Sequence, residues 1–335
     1  MGYQLLTTDL DKVLLSLSEE YDVYAPKLFE GEIAFSDIDV VRYGKINFLN
    51  EIVFDQKSDY SFKEILTPIS ETLFYFTEDE AIVPKERKKG AVVFLRACDL
   101  NALKRLDDIY LHNGAEDFYY KRLRENTKFI LMECKESFET CFCVSMGTNK
   151  ADNYDAYISV KYGKAYIDCK WDKLTDLIKK EKNEQTDVQP EFVKENNVKV
   201  TVPQEITNEV YDFDLWKEYN ERCIACGRCN FVCPTCTCFT MQDIFYKDNK
   251  NTGERRRVWA SCHIDGYTEM AGNISFRKTK GERMRFKVLH KVYDFKKRFG
   301  YNMCTGCGRC DQVCPEYISF SNCINKLNQK IEEVK

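Results

Sequence analysis

The residues best equipped for chemistry in this sequence are its cysteines, 17 in 335 residues against only three histidines, His112, His263 and His290. Two segments align with each other: CIACGRCNFVCP from Cys223 to Pro234, and CTGCGRCDQVCP from Cys304 to Pro315. Both read C-x2-C-G-R-C-x2-V-C-P, which contains the C-x2-C-x2-C-x3-C-P spacing of bacterial ferredoxins that carry [4Fe–4S] clusters. Three closely spaced thiolates on a tight loop can reach three corners of one cubane. The fourth, beside the Pro, points to the neighbouring cluster. The expected ligand sets are therefore crossed. Cys223, Cys226, Cys229 and Cys314 take one cluster, and Cys304, Cys307, Cys310 and Cys233 take the other. Gly227 and Gly308 let backbone N–H groups approach the sulfurs and tune the potential. Zinc is the competing reading. It favours paired C-x2-C motifs around one tetrahedral ion, whereas here each run carries four cysteines and ends in Pro.

The other cysteines are less explicit. Cys98, Cys134, Cys141 and Cys143 lie in RACDLNAL and ECKESFETCFCVSMG. Cys98 and Cys134 follow expected strands, at the carboxyl edge where α/β sheets bind ligands. Four thiolates converging there could hold a third [4Fe–4S] cluster, with Asp99 as a substitute ligand or a supporting group. Free cysteine is also a common small core residue, so spacing leaves both readings open. Cys236, Cys238 and Cys262 are open too: spare thiols, supports for the adjacent cluster, or, with His263, a zinc site. Cys169 and Cys323 read as packing residues.

The elements that must position these groups can be read around them. Asp9 is a candidate cap for a helix carrying Val13, Leu14 and Leu17. The apolar run Ala91–Leu95 reads as a strand. A helix capped by Asp99 or Asn101 follows, presenting Leu103, Leu106 and Ile109, and KFILMEC at 128–134 is a second strand. That order implies an α/β layer. Residues 154–168 read as a hairpin turning near Gly163, and the polar stretch 179–208 as a linker or surface arm. Twelve of the cysteines lie between Cys223 and Cys323, which marks a second domain ending in a helix with Phe320, Ile324, Leu327 and Ile331 on one face. The expected fold class is α+β. An N-terminal α/β domain, 1–205, with a possible additional cluster site, precedes an α-helical ferredoxin-type [4Fe–4S] dicluster domain, 206–335. Seventy residues separate Cys233 from Cys304, so the module carries a long insert.

Composition bounds the function. Hydrophobic residues make up 44% and charged residues 31%, the balance of a folded chain rather than a disordered one. Lys+Arg 50 against Asp+Glu 54 gives −4, too acidic for a general nucleic-acid binder. No run approaches the length of a membrane span, and the N-terminus lacks the basic region of a signal peptide. These features predict a cytoplasmic protein without membrane or nucleic-acid partners, whose thiols serve metal rather than disulfides. Residues 253–300 hold 13 Lys/Arg against 5 Asp/Glu, including Arg255, Arg256, Arg257, Arg277, Arg283 and Arg285. Such cations could raise cluster potentials or steer an acidic partner, or could form a solvated face. No G-x-G-x-x-G, P-loop or nucleophile elbow is present, so no nucleotide or flavin site and no catalytic centre of its own is expected.

RACDLNAL (Arg96–Leu103), FYYKRLR (Phe118–Arg124), TCFCVSMG (Thr140–Gly147), CPTCTC (Cys233–Cys238) and the later Ser261–Cys262 occur in one order with the ferredoxin runs. In these segments the chain resembles the A subunit of anaerobic sulfite reductases and is similar, more distantly, to the beta subunit of soluble NiFe sulfhydrogenases. The resemblance covers about residues 90–320. It departs at Ala97, where the family usually has Pro, and at Thr237, where an aromatic is commoner; neither change removes a thiol. Residues 1–80 carry none of these motifs. The resemblance implies an iron–sulfur electron-transfer subunit of a hetero-oligomeric oxidoreductase, relaying electrons from an NADH-oxidising flavin subunit to a sirohaem subunit that reduces sulfite to sulfide. The alternative is the equivalent subunit of a hydrogenase. It also implies a third cluster on Cys98, Cys134, Cys141 and Cys143.

Overall fold

The computed structural model describes residues 2–31, 38–85, 87–272 and 274–334. Twelve of its strands carry the argument, numbered in chain order. They are β1 (Gly2–Leu6), β2 (Tyr21–Phe29), β3 (Val40–Lys45), β4 (Ser70–Phe76), β5 (Ala81–Ile82), β6 (Gly90–Leu95), β7 (Thr127–Met132), β8 (Ala156–Lys161), β9 (Lys164–Cys169), β10 (Asn183–Gln185), β11 (Phe239–Phe245) and β12 (Gly253–Trp259). Eight of them form one sheet in the order β10-β1-β9-β8-β7-β6-β2-β3. Its centre, β2, β6, β7 and β8, is parallel. The continuous apolar runs of β6 and β7 follow from burial on both faces. Val92, Phe94, Ile130 and Met132 pack on the helix Thr7–Ser18 through Leu10, Val13, Leu14 and Leu17. Val93, Leu95, Phe129 and Leu131 pack on the helix Ala97–Tyr110 through Leu100, Leu103 and Leu106.

The hairpin turns at Tyr162 and Gly163, both with positive φ (52° and 73°), the two-residue turn that matches strand twist. Two expected caps are not caps. The first helix starts at Thr7, so Asp9 lies in its first turn and pairs with Lys12 at 2.7 Å. The strand β6 runs straight into the helix at Ala97 with Arg96 at the cap position, which carries Asp99 and Asn101 inside the first turns. The stretch 179–208 is a packed arm: β10 extends the sheet beside β1, Phe192 bridges to Cys134, and Val188, Val193 and Val200 are buried.

The C-terminal part is built on a third core. Phe142, Met146 and Val200 join Val210, Trp216, Tyr219 and the helices Lys280–Leu289 and Phe320–Val334. The last helix buries Phe320, Ile324, Leu327 and Ile331 as its spacing requires; Lys335 falls outside the described residues. The long insert between the cysteine runs is part strand. β11 and β12 pair with each other and then with β4 and β5, so this four-stranded sheet draws strands from both halves of the chain. The architecture is thus an N-terminal α/β sheet domain joined to a C-terminal cysteine-rich domain of short helices. Among the described residues no helix is long and apolar enough to cross a membrane.

Candidate metal centres

The two cysteine runs share one backbone device. Ala225 and Gly227 in the first, and Gly306 and Gly308 in the second, have positive φ (58°, 72°, 62° and 68°). Alternating left-handed residues turn successive N–H groups toward one point, the concavity that favours anions and iron–sulfur groups. Ala225 N donates to Cys223 Sγ and Gly306 N to Cys304 Sγ, both at 3.4 Å, and Ile318 N donates to Cys314 Sγ at 3.3 Å. The glycines also permit close approach. A Cβ on Gly306 would lie 2.6 Å from the Phe142 carbonyl, and one on Gly308 would lie 2.1 Å from Thr140 O.

Cys223, Cys226, Cys229 and Cys314 line a single cavity with Lys287, Met284 and His263. Cys233, Cys304, Cys307 and Cys310 form a second group in electrostatic contact. Cys310 lines the first cavity as well, so the two runs meet there. The repeat is asymmetric in its setting: Cys226 and Arg228 are exposed, whereas Cys307 and Arg309 are buried. Ile224, Ile69, Phe231, Trp259 and Pro315 surround exposed Cys226 in an open apolar groove.

The four N-terminal cysteines also converge. Cys98 lies in the field of Cys143, Cys134 in that of Cys141, and Cys143 in that of both Cys141 and Cys134. The loop carrying Cys141 and Cys143 is pinned to the second run. Phe142 N bonds Gly306 O at 2.8 Å, Thr148 Oγ1 bonds Thr305 O at 2.6 Å, and Cys141 Sγ approaches Cys307 O at 3.5 Å. Asp99 is not directed at the thiols as a ligand. Fully buried, it holds Arg309 in a two-pronged ion pair at 2.7 and 2.9 Å, which fastens the helix Ala97–Tyr110 to the second run.

Burial acts on these thiols as it does on the packing residue Cys323, itself pushed up to about 12. Burial pushes Cys98 well above the ordinary thiol range, and Cys143 and Cys304 to about 12, so thiolates here require a bound cation or metal. Several buried cations lie beside the cysteines and meet thiols, hydroxyls, carbonyls and rings rather than carboxylates. Lys57 Nζ lies 2.6 Å from Thr140 Oγ1 and 3.9 Å from Cys141 Sγ. Arg96 bonds the carbonyls of Phe54 and Gln56 beside Cys134. Lys63 Nζ bonds the carbonyls of Cys236 and Asn230 and sits 4.1 Å over Trp259. Lys291 Nζ reaches Thr235 Oγ1 at 2.6 Å and Cys233 Sγ at 3.4 Å. Burial drags the Lys287 ammonium down, but Cys229, Cys310 and Cys236 outweigh it and hold its pKa well above the usual value. An ammonium without a counter-charge costs several kcal/mol in the interior, and an anionic thiolate-ligated cluster supplies that counter-charge. The residues present fit iron–sulfur groups.

Two expectations change. The arginines of 253–300 largely serve the fold: Arg255 pairs with Asp243, Arg256 with Glu254, Arg257 with Glu71 and Asp117, and Arg283 with Asp265. The cations of that stretch that meet thiols are Lys287 and Lys291, one helical turn apart (i, i+4) across a π-helical turn at His290–Asp294. A zinc site from Cys236, Cys238, Cys262 and His263 is not assembled. His263 lines the cavity of the first run, and among the described residues no three His, Cys, Asp or Glu groups are placed to hold one metal ion. Lys57 and Lys63 lie in the stretch where no motif was readable. Neither DQKSD around Lys57 nor SFKEI around Lys63 differs from an ordinary surface segment.

Residues 222–318 match the family model of the 4Fe-4S dicluster domain. The chain is 27% identical over 304 residues to the sulfhydrogenase 2 subunit beta of Pyrococcus furiosus, a similarity that covers 86% of this chain and 89% of the relative. No solved structure matches the chain.

Proposed function

We propose that this chain is the iron–sulfur electron-transfer subunit of a multisubunit oxidoreductase, carrying one [4Fe–4S] cluster on Cys223, Cys226, Cys229 and Cys314, a second on Cys304, Cys307, Cys310 and Cys233, and a third on Cys98, Cys134, Cys141 and Cys143. The observation that carries this reading is that the buried Lys57, Lys287 and Lys291 face thiols and, among the described residues, pair with no carboxylate. Single electrons enter or leave where Cys226 is exposed, pass to the buried second run, and continue across the Phe142–Gly306 contact to the third set. Residues 1–205 carry the third site and 206–335 the two runs. Bound clusters supply one-electron chemistry. The chain's own residues hold them, exclude water, and set their potentials through Lys57, Lys287 and Lys291.

The similarity to a sulfhydrogenase beta subunit across most of both chains weighs toward a hydrogenase-type partner. The sulfite reductase relay, with flavin and sirohaem subunits in the cytoplasm, is the second reading, favoured by the RACDLNAL, TCFCVSMG and CPTCTC segments. Anaerobic affinity purification from the native cells, with pigment and metal analysis of co-eluting subunits, decides. Nickel without sirohaem supports the first, sirohaem with flavin supports the second, and a colourless preparation without iron refutes both.

A further inference from the structure

No zinc site forms, which leaves His263 without a role. It lines the cavity that Cys223, Cys226, Cys229 and Cys314 share. The residue is 1% exposed, and its Nε2 is buried without a hydrogen-bond partner among the described residues. A buried polar group left unpaired is costly, so an orphan of this kind points to an acceptor in the cavity.

The backbone holds the ring in place. Ile264 N bonds Ser261 O at 3.0 Å and His263 N bonds Ser261 Oγ at 3.2 Å, which closes a turn beside the first run. Asn230 Nδ2 bonds Ser261 Oγ at 2.9 Å, and a Cβ on Gly227 would lie 2.9 Å from the side chains of both Ser261 and Ile264. The turn is thus seated on the C-G-R-C segment itself. At the second run the equivalent place, against Gly308, is taken by Thr140.

The side chains around the cavity offer Nε2 little besides sulfur. Lys287 and Arg228 are donors only, Glu316 is exposed, and Ile318 and Phe320 are apolar. The thiolates of the run, and the sulfides of a cluster held on them, are acceptors.

We propose that His263 Nε2 donates a hydrogen bond to a sulfur of the first-run cluster and raises its potential above the value the four thiolates alone would set. Reduction adds negative charge to the sulfurs, so a donor beside them favours the reduced form. The inference rests on the reading of Cys223, Cys226, Cys229 and Cys314 as the ligands of one cluster.

The test uses the full chain purified anaerobically and titrated in steps, with electron paramagnetic resonance following each cluster. The signal altered by C226S is that of the first run. If C226S alters none, the ligand reading fails and the proposal with it. H263L should keep the wild-type iron and sulfide. At a fixed potential it should lower the reduced-to-oxidised ratio of the first-run cluster about tenfold, a shift of about 59 mV. H263Q, whose amide can still donate, should restore part of that shift, which a packing role would not predict. A first-run signal that is present and unmoved by H263L overturns the proposal and leaves the ligand reading standing. If H263L does not fold or does not keep the cluster, the wild-type protein decides. With nitrogen-15 histidine and heavy water, pulsed resonance on the reduced first-run cluster should show a weak nitrogen coupling and an exchangeable deuteron. H290F, which replaces the ring stacked on Phe286, should keep both. Absence of the nitrogen coupling overturns the proposal, as does its loss in H290F. A strong coupling also overturns it, because His263 would then be an iron ligand.

Discussion

Replacing Lys291 by Met isolates the electrostatic argument. The Nζ lies 3.4 Å from Cys233 Sγ, in a residue 2% exposed. The electron added on reduction spreads over the cluster behind that sulfur, at roughly twice the distance, about 6–7 Å. With an effective dielectric of about 20, a unit charge at that range is worth roughly 2–3 kcal/mol. At 59 mV per tenfold for one electron, this is about 100 mV. The positive charge favours the more negative, reduced cluster, so its removal lowers the potential. A redox titration followed by electron paramagnetic resonance should show one cluster moved down by about 100 mV, while the surface variant Lys121→Met, whose partner is the exposed Glu116, leaves all signals in place. The same variant should leave the cluster-free chain no less stable, because an unpaired buried ammonium is gone. No downward shift beyond about 20 mV, against the ~100 mV expected, would refute the claim that the buried lysines act as cluster counter-charges.

Other perturbations probe separate links. Arg309→Met leaves the Asp99 carboxylate buried and unpaired and should cost about 3–5 kcal/mol in thermal or denaturant unfolding, whereas Arg228→Met, at the exposed equivalent position, should stay within about 0.5 kcal/mol. Gly306→Ala places a Cβ 2.6 Å from the Phe142 carbonyl at a φ of 62°. It should lower the melting temperature and the iron content together. Gly272→Ala, with φ 83° and no atom within 4 Å, should show the melting change alone. C141S should lose one cluster's worth of iron while the absorption of the two ferredoxin runs persists.

The sequence was most readable where chemistry constrains spacing. The two runs, the strand at 91–95, the strand expected at 128–134 (which ends at Met132), the turn at Gly163 and the last helix are all local patterns and lie close to where the pattern implied. What could not be read is tertiary. Asp99 looked like a cap or a ligand because those are the roles a short acidic side chain plays locally. Its partner Arg309 is remote in the chain and lies in a C-G-R-C motif that gives no hint of burial. Arg228 occupies the same motif and is exposed. The arginines of 253–300 looked like a patch because their carboxylate partners, Glu71 and Asp117 among them, come from strands and helices far earlier. Lys57 and Lys63 carried no signal, since a buried lysine differs from a surface one only by the thiols folded around it.

The crossed ligand sets have a consequence for biogenesis. In the proposed arrangement the first run supplies three thiols before the insert, but its fourth, Cys314, is made after every other ligand. The second set needs Cys233 from before the insert and Cys304, Cys307 and Cys310 from after it. Neither cubane can be completed until the chain has passed the insert, through Cys310 for the second set and Cys314 for the first, and the insert has folded back beside β4. Completion of both cubanes is then a late check that the insert and the second run have been made and folded, and a chain interrupted within the insert is left with open thiols that proteases and chelators can reach.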